Sequence, residues 1–188
     1  MFIFVYENSY YLKREIIIND IVPRQPYIIQ ADTRFFNPQK PVDLILCHPP
    51  YYNIVRFSDL EADGSNQKSL RDFVLWFYEV ASNLDRYLKN DKFIVLACGN
   101  IYLNSEEVEL GEILKNIFLM MGYTLKSHIV KDYGETKGSV KKNYHMNYYR
   151  QLKGNFNNFY GDNIFLLQKR KSKNNIFDIY RALLKVDR

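Results

Sequence analysis

Glycine is scarce in this chain of 188 residues, with eight in all, and cysteine scarcer still, with two. The two cysteines, Cys47 and Cys98, each fall inside an apolar stretch. That placement excludes a disulfide framework or a cysteine-rich metal site and marks both as small, reduced core residues. No apolar run approaches the ~20 residues that a membrane helix needs. The start, Met1-Phe2-Ile3-Phe4-Val5-Tyr6-Glu7, lacks the basic region and cleavage site of a secretory leader, so a cytoplasmic location without membrane attachment is expected. Nowhere do two glycines fall between a strand and a helix in a Gly-x-Gly pattern. The turn by which a backbone closely approaches a bound cofactor is therefore missing.

Aromatic residues, in contrast, are abundant, with 16 Tyr and 13 Phe. A hydrophobic content of 47% and a charged content of 25% describe an ordinary globular protein, and the length suits one domain with a sizeable core. A net charge of +5 and a pI near 9.0 favour a polyanionic partner.

The most informative stretch is Val42-Asp43-Leu44-Ile45-Leu46-Cys47-His48-Pro49-Pro50-Tyr51-Tyr52-Asn53. Its apolar beginning has the length and composition of a buried parallel strand. Pro49 and Pro50 end that strand abruptly, because neither donates to a sheet ladder and each fixes its own φ. His48 is left at the carboxyl end, the edge of an open α/β sheet at which ligands bind. Taken alone, the same residues also describe a Pro-Pro turn after a core strand with an exposed histidine.

The surrounding chain adds order. Residues 1–27 hold two candidate strands, Phe2 to Tyr6 and Tyr10 to Ile18, and no motif. Tyr27 to Asp32 reads as a short strand ending on an acid. Polar residues from Ile54 to Lys68 predict a loop beside the site. Ser69 can cap a helix from Leu70 to Leu88, whose Leu70, Phe73, Val74, Phe77, Val80, Ala81 and Leu84 form one apolar face. Phe93 to Cys98 predicts the next buried strand. Asn104 or Ser105 is expected to cap a second helix, with Glu106 and Glu107 at its positive end and Gly122 as its terminator. Thr124 to Val130 and Asn163 to Lys169 predict further strands, and Ile176 to Val186 a short amphipathic helix. Alternating strands and helices imply crossovers and a parallel sheet.

The segment His48-Pro49-Pro50-Tyr51, placed after a hydrophobic strand, resembles the signature of the exocyclic-amino DNA methyltransferases. These enzymes make N6-methyladenine or N4-methylcytosine, and their pattern is Asp, Asn or Ser followed by Pro-Pro and an aromatic. His48 departs from the commonest first residue. The resemblance covers roughly residues 28–170, with 171–188 a C-terminal helix, and implies an α/β, Rossmann-like methyltransferase fold with an antiparallel C-terminal strand. It further implies S-adenosylmethionine as methyl donor and double-stranded DNA as substrate. His48 and a proline carbonyl are expected to accept hydrogen bonds from the target amine, and Tyr51 to stack on the extruded base. Tyr52 and Asn53 are then expected near the substrate. Asp32 matches an acidic position close to the adenine of the cofactor, and it equally fits a turn cap for Thr33-Arg34-Phe35-Phe36. No metal is expected.

Residues 131–161 interleave Lys137, Lys141, Lys142, Arg150 and Lys153 with Tyr144, His145, Tyr148, Tyr149, Phe156, Phe159 and Tyr160. Cations suit phosphates and aromatic faces suit bases, so this segment is expected to face DNA, with Lys141, Lys142, Arg150 and Lys153 binding substrate. The resembling enzymes hold their cofactor on a glycine turn, so its absence implies that the chain carries the catalytic half of the domain. Either a second protein chain holds the cofactor, the favoured reading, or the chain is a degenerate remnant. A non-catalytic DNA-binding or scaffolding subunit of the same fold, or an RNA amino-methyltransferase, are the alternatives.

Overall fold

The computed structural model describes residues 13–132, 161–171 and 175–186, without side-chain detail for 132 and 183–186. The strands suggested for Phe2 to Tyr6 and for the start of Tyr10 to Ile18 lie outside the described residues, as does the basic segment 133–160.

The core is a four-stranded sheet. Its strands are β3 (Val42–Cys47), β4 (Leu88–Cys98), β7 (Thr124–Asp132) and β8 (Gly161–Gln168), in the order β3-β4-β8-β7. β3 runs parallel to β4, while β8 is antiparallel to both β4 and β7. The architecture is therefore α/β and mostly parallel in strand direction, with the last strand inserted antiparallel between two others. Two small ladders lie beside it, β1 (Asn19–Asp20) with β2 (Ile29–Gln30), and β5 (Ile101–Leu103) with β6 (Glu106–Val108).

Helix α1 (Leu70–Tyr87) forms where the apolar spacing predicts it, and the Ser69 hydroxyl caps it by accepting from the Asp72 amide at 3.1 Å. Helix α2 (Leu110–Met120) is followed by Gly122, whose φ of +99° suits glycine alone among common residues. Helix α3 (Ile176–Val186) closes the described chain.

Alternation along the strands places Ile45, Ile94 and Leu167, then Cys47, Leu96 and Phe165, on one face in register. Phe73 and Phe77 from α1 and Leu114 and Phe118 from α2 join this face in a single apolar cluster. Phe77 meets Phe118 edge-on, with centroids 6.0 Å apart. Leu44 and Leu46 turn to the opposite face and stay exposed.

The expected cap at Asn104 or Ser105 is not what forms. Both residues adopt left-handed φ, +50° and +71°, and they make a two-residue connection between β5 and β6. Consecutive left-handed residues suit the primed turns of tight hairpins, and Asn tolerates that region well. Ile101 is buried and anchors the hairpin to the core, while Asn100 donates to Glu107 at 3.0 Å. The helix consequently starts later, at Leu110, without a side-chain cap.

Candidate active site

β3 ends at Cys47 and delivers His48-Pro49-Pro50-Tyr51 to the carboxyl edge of the sheet. Pro49 is buried, and His48, Pro50 and Tyr51 are half-buried. The β4 strand ends beside them at Cys98-Gly99, and β8 begins there at Gly161-Asp162, because Cys98 pairs with Asn163.

Among the described residues, three side chains meet at this edge. The Tyr51 hydroxyl donates to Asp162 Oδ1 at 2.7 Å. The same hydroxyl oxygen lies 3.0 Å from His48 Nε2, and the two rings stand edge-to-face at 70°. Asp162 is 8% exposed, an unusual depth for a carboxylate and one that calls for hydrogen-bonded partners. Burial lowers the pKa of His48, the nearby Asp162 charge opposes that shift, and Lys131 adds to it. The site thus favours a neutral imidazole, the form able to accept a hydrogen bond. Burial alone pushes the Cys47 thiol, one residue before His48, up to about 12, so it is no nucleophile at neutral pH.

Other residues singled out from the sequence do not join this cluster among the described residues. Tyr52 is 6% exposed and packs its ring on Phe73, so it belongs to the core beneath the site, with a φ of +53°. Asn53 is exposed beside it. Asp32 caps a turn: its Oδ1 accepts from the Arg34 amide at 2.9 Å, and its carboxylate also holds the Arg34 guanidinium at 2.7 Å. Lys141, Lys142, Arg150 and Lys153 lie outside the described residues. Asp132 and Gly161, which flank that segment, pair with each other at the edge that carries His48.

Sequence reading missed Asp162. It is separated from Tyr51 by 111 positions, and no local pattern marks it. Its position just before an apolar strand was the one available sign. The loop after the motif is also more structured than its polarity suggests. Asp63 accepts from Ser58 at 2.7 Å and from the Ser65 hydroxyl and amide at 2.9 Å, while Trp76 donates to the Ala62 carbonyl at 3.0 Å.

The described glycines have structural employment of their own. A Cβ at Gly64 would strike the Trp76 ring at 2.6 Å, one at Gly111 the Cys98 carbonyl at 2.8 Å, and one at Gly161 the Lys131 carbonyl at 2.2 Å. None of them forms a cradle between a strand and a helix. Among the described residues no cluster of His, Cys, Asp and Glu suits a metal, and no helix is long and apolar enough to cross a membrane.

A family profile described as DNA methylase matches residues 42–185, from the first residue of β3 almost to the end of α3. The chain belongs to the DNA methylase family. This chain's fold is similar to that of a putative DNA modification methylase from Thermus thermophilus, with 15% identity and a TM-score of 0.48. The match covers 77% of this chain and 56% of that one. A structure of the Thermus methylase complexed with S-adenosyl-L-methionine gives 15% identity and a TM-score of 0.46, covering 76% of this chain and 52% of that one. The PvuII DNA methyltransferase, cytosine-N4-specific, gives 15% identity and a TM-score of 0.47, covering 70% of this chain and 43% of that one. The chain thus spans about half the length of these structures. No curated protein matches it.

Proposed function

We propose that this member of the DNA methylase family is the catalytic-motif subunit of a DNA amino-methyltransferase whose cofactor-binding half is a second protein chain. The observation that carries this reading is the position of His48: a half-buried imidazole, held neutral by burial, at the carboxyl edge of the sheet beside Pro49, Pro50 and Tyr51. S-adenosylmethionine supplies an electrophilic methyl group when bound. The described residues do not fit its cradle, because Gly64, Gly99, Gly111 and Gly161 are occupied by packing, Gly122 ends α2, and Asp32 is turned to Arg34.

The chain's own residues act on the acceptor. An adenine N6 or cytosine N4 amine is a weak nucleophile, since its lone pair is delocalised into the ring. His48 and a proline carbonyl accept hydrogen bonds from the amine and favour the tetrahedral nitrogen of the transition state. The target base is extruded from the duplex to reach them, with the Tyr51 ring as its stacking surface. Lys141, Lys142, Arg150 and Lys153, in the segment tethered at this same edge by Asp132 and Gly161, contact DNA phosphates.

A second chain is supported by the position of β3. Among the described residues the strand carrying the motif lies at an edge of the sheet, and its Leu44 and Leu46 are 53% and 36% exposed on the face opposite α1 and α2. The test is calorimetry with S-adenosylmethionine. The isolated chain is expected to show no micromolar binding, and adding a methylase half that carries a glycine turn is expected to restore binding and methyl transfer to duplex DNA. Micromolar binding by the chain alone overturns the split site.

A further inference from the structure

Asp162 is outside the Pro-Pro motif, yet it is the deepest charged group at the site. It reaches His48 through the Tyr51 hydroxyl, at 2.7 Å and 3.0 Å. A phenol carries one proton, and a carboxylate can only accept. With that proton directed to Asp162, the Tyr51 oxygen faces Nε2 as an acceptor, so Nε2 must carry the hydrogen. In a neutral imidazole one nitrogen donates and the other accepts, and the partner of one fixes the role of the other.

We propose that Asp162 is a positioning residue that, through Tyr51, holds His48 as the Nε2–H tautomer and keeps the accepting lone pair on Nδ1. The use of Nδ1 to receive the target amine rests on the methyltransferase reading above; the tautomer itself does not. Without a carboxylate the Tyr51 hydroxyl can turn its proton to Nε2. The imidazole then carries hydrogen on Nδ1 and presents a donor where the amine needs an acceptor. The backbone holds the relay tight. Gly99 packs so closely that an added Cβ would lie 2.8 Å from Tyr51 Cε2 and 3.0 Å from Asp162 Oδ1. Among the described residues, the charged groups that act on His48 are Asp162 and, beside it in the ladder, Lys131.

The experiment is long-range proton–nitrogen correlation NMR on the full chain labelled with 15N-histidine. His48→Gln identifies the His48 signals among the three histidines. Wild type is expected to show hydrogen on Nε2. Asp162→Asn, whose amide oxygen still accepts from the hydroxyl, is expected to keep that tautomer while His48 titrates at lower pH. Asp162→Ala is expected to move the population toward Nδ1–H, and in a Tyr51→Phe background the same change is expected to leave the His48 tautomer unaltered while still lowering the pH at which His48 titrates. Hydrogen on Nδ1 in wild type overturns the proposal, even if every variant unfolds. So does an unaltered tautomer in a folded Asp162→Ala chain, or an equal tautomer shift with and without the Tyr51 hydroxyl. In the reconstituted enzyme, Asp162→Ala is expected to lower turnover, with Asp162→Asn largely restoring it. Full turnover of His48→Ala there would remove the methyl-transfer role of His48 and leave the measured tautomer standing.

Discussion

Gly99 and Tyr51 are in contact at the end of β4, where a methyl group on the glycine would lie 2.8 Å from the tyrosine ring. Real side chains do not tolerate that approach, so Gly99→Ala must displace Tyr51, Asp162 or the strand end. Overpacking of this kind costs roughly 1–3 kcal/mol. A urea melt of Gly99→Ala is expected to show that loss, and the His48 nitrogen signals are expected to shift with it. A melt and signals indistinguishable from wild type would mean that the tyrosine is held loosely.

The His48 pKa sets an acid limit. Because burial lowers it, methyl transfer is expected to fall only as pH drops through a value below that of an ordinary histidine, about 6.5. Stability follows the same sign. Between the unfolded and the lowered folded values the unfolded chain binds more protons, so stability falls as pH is lowered from the unfolded value toward the folded one. Urea melts across that window are expected to show a shallower slope in His48→Gln than in wild type.

Tyr51 has a face and a hydroxyl, and the two are separable. Tyr51→Phe keeps the ring and loses the relay, so turnover is expected to fall with little change in DNA affinity. Tyr51→Ala also loses stacking, roughly 1–3 kcal/mol per base. A mismatched target base costs less to extrude and is expected to restore part of the affinity of Tyr51→Ala, but not the turnover of His48→Ala. Filter binding and tritiated methyl transfer on matched and mismatched duplexes, with the reconstituted enzyme, measure both. Wild-type turnover in His48→Ala would remove the motif reading at its centre.

Phe77 and Phe118 join α1 to α2 over the sheet, both without exposed surface. Phe77→Ala is expected to destabilise the chain by about 3–5 kcal/mol, through lost burial and the cavity left behind. Chemical denaturation checks this, and a loss under about 1 kcal/mol would mean that the helices repack over the gap.

Sequence periodicity by itself determined the apolar strands, helix α1 and the place of His48 at a strand end. Those features depend on neighbours a few residues away, and Pro49-Pro50 can stop β3 without any tertiary help. The hairpin at Asn104-Ser105 was less legible, because the same polar residues serve a helix cap or a left-handed turn. Burial of Ile101 and ladder pairing chose the turn. Asp32 likewise fitted two roles in the sequence, and the structure shows its turn cap, with the carboxylate on Arg34. Tyr52 read as a second site aromatic, and its left-handed backbone instead sends the ring onto Phe73. Asp162 left no local trace, for its meaning comes from insertion of β8 between β4 and β7. That pairing brings a carboxylate to Tyr51 across more than half the chain, and only folding creates such a contact.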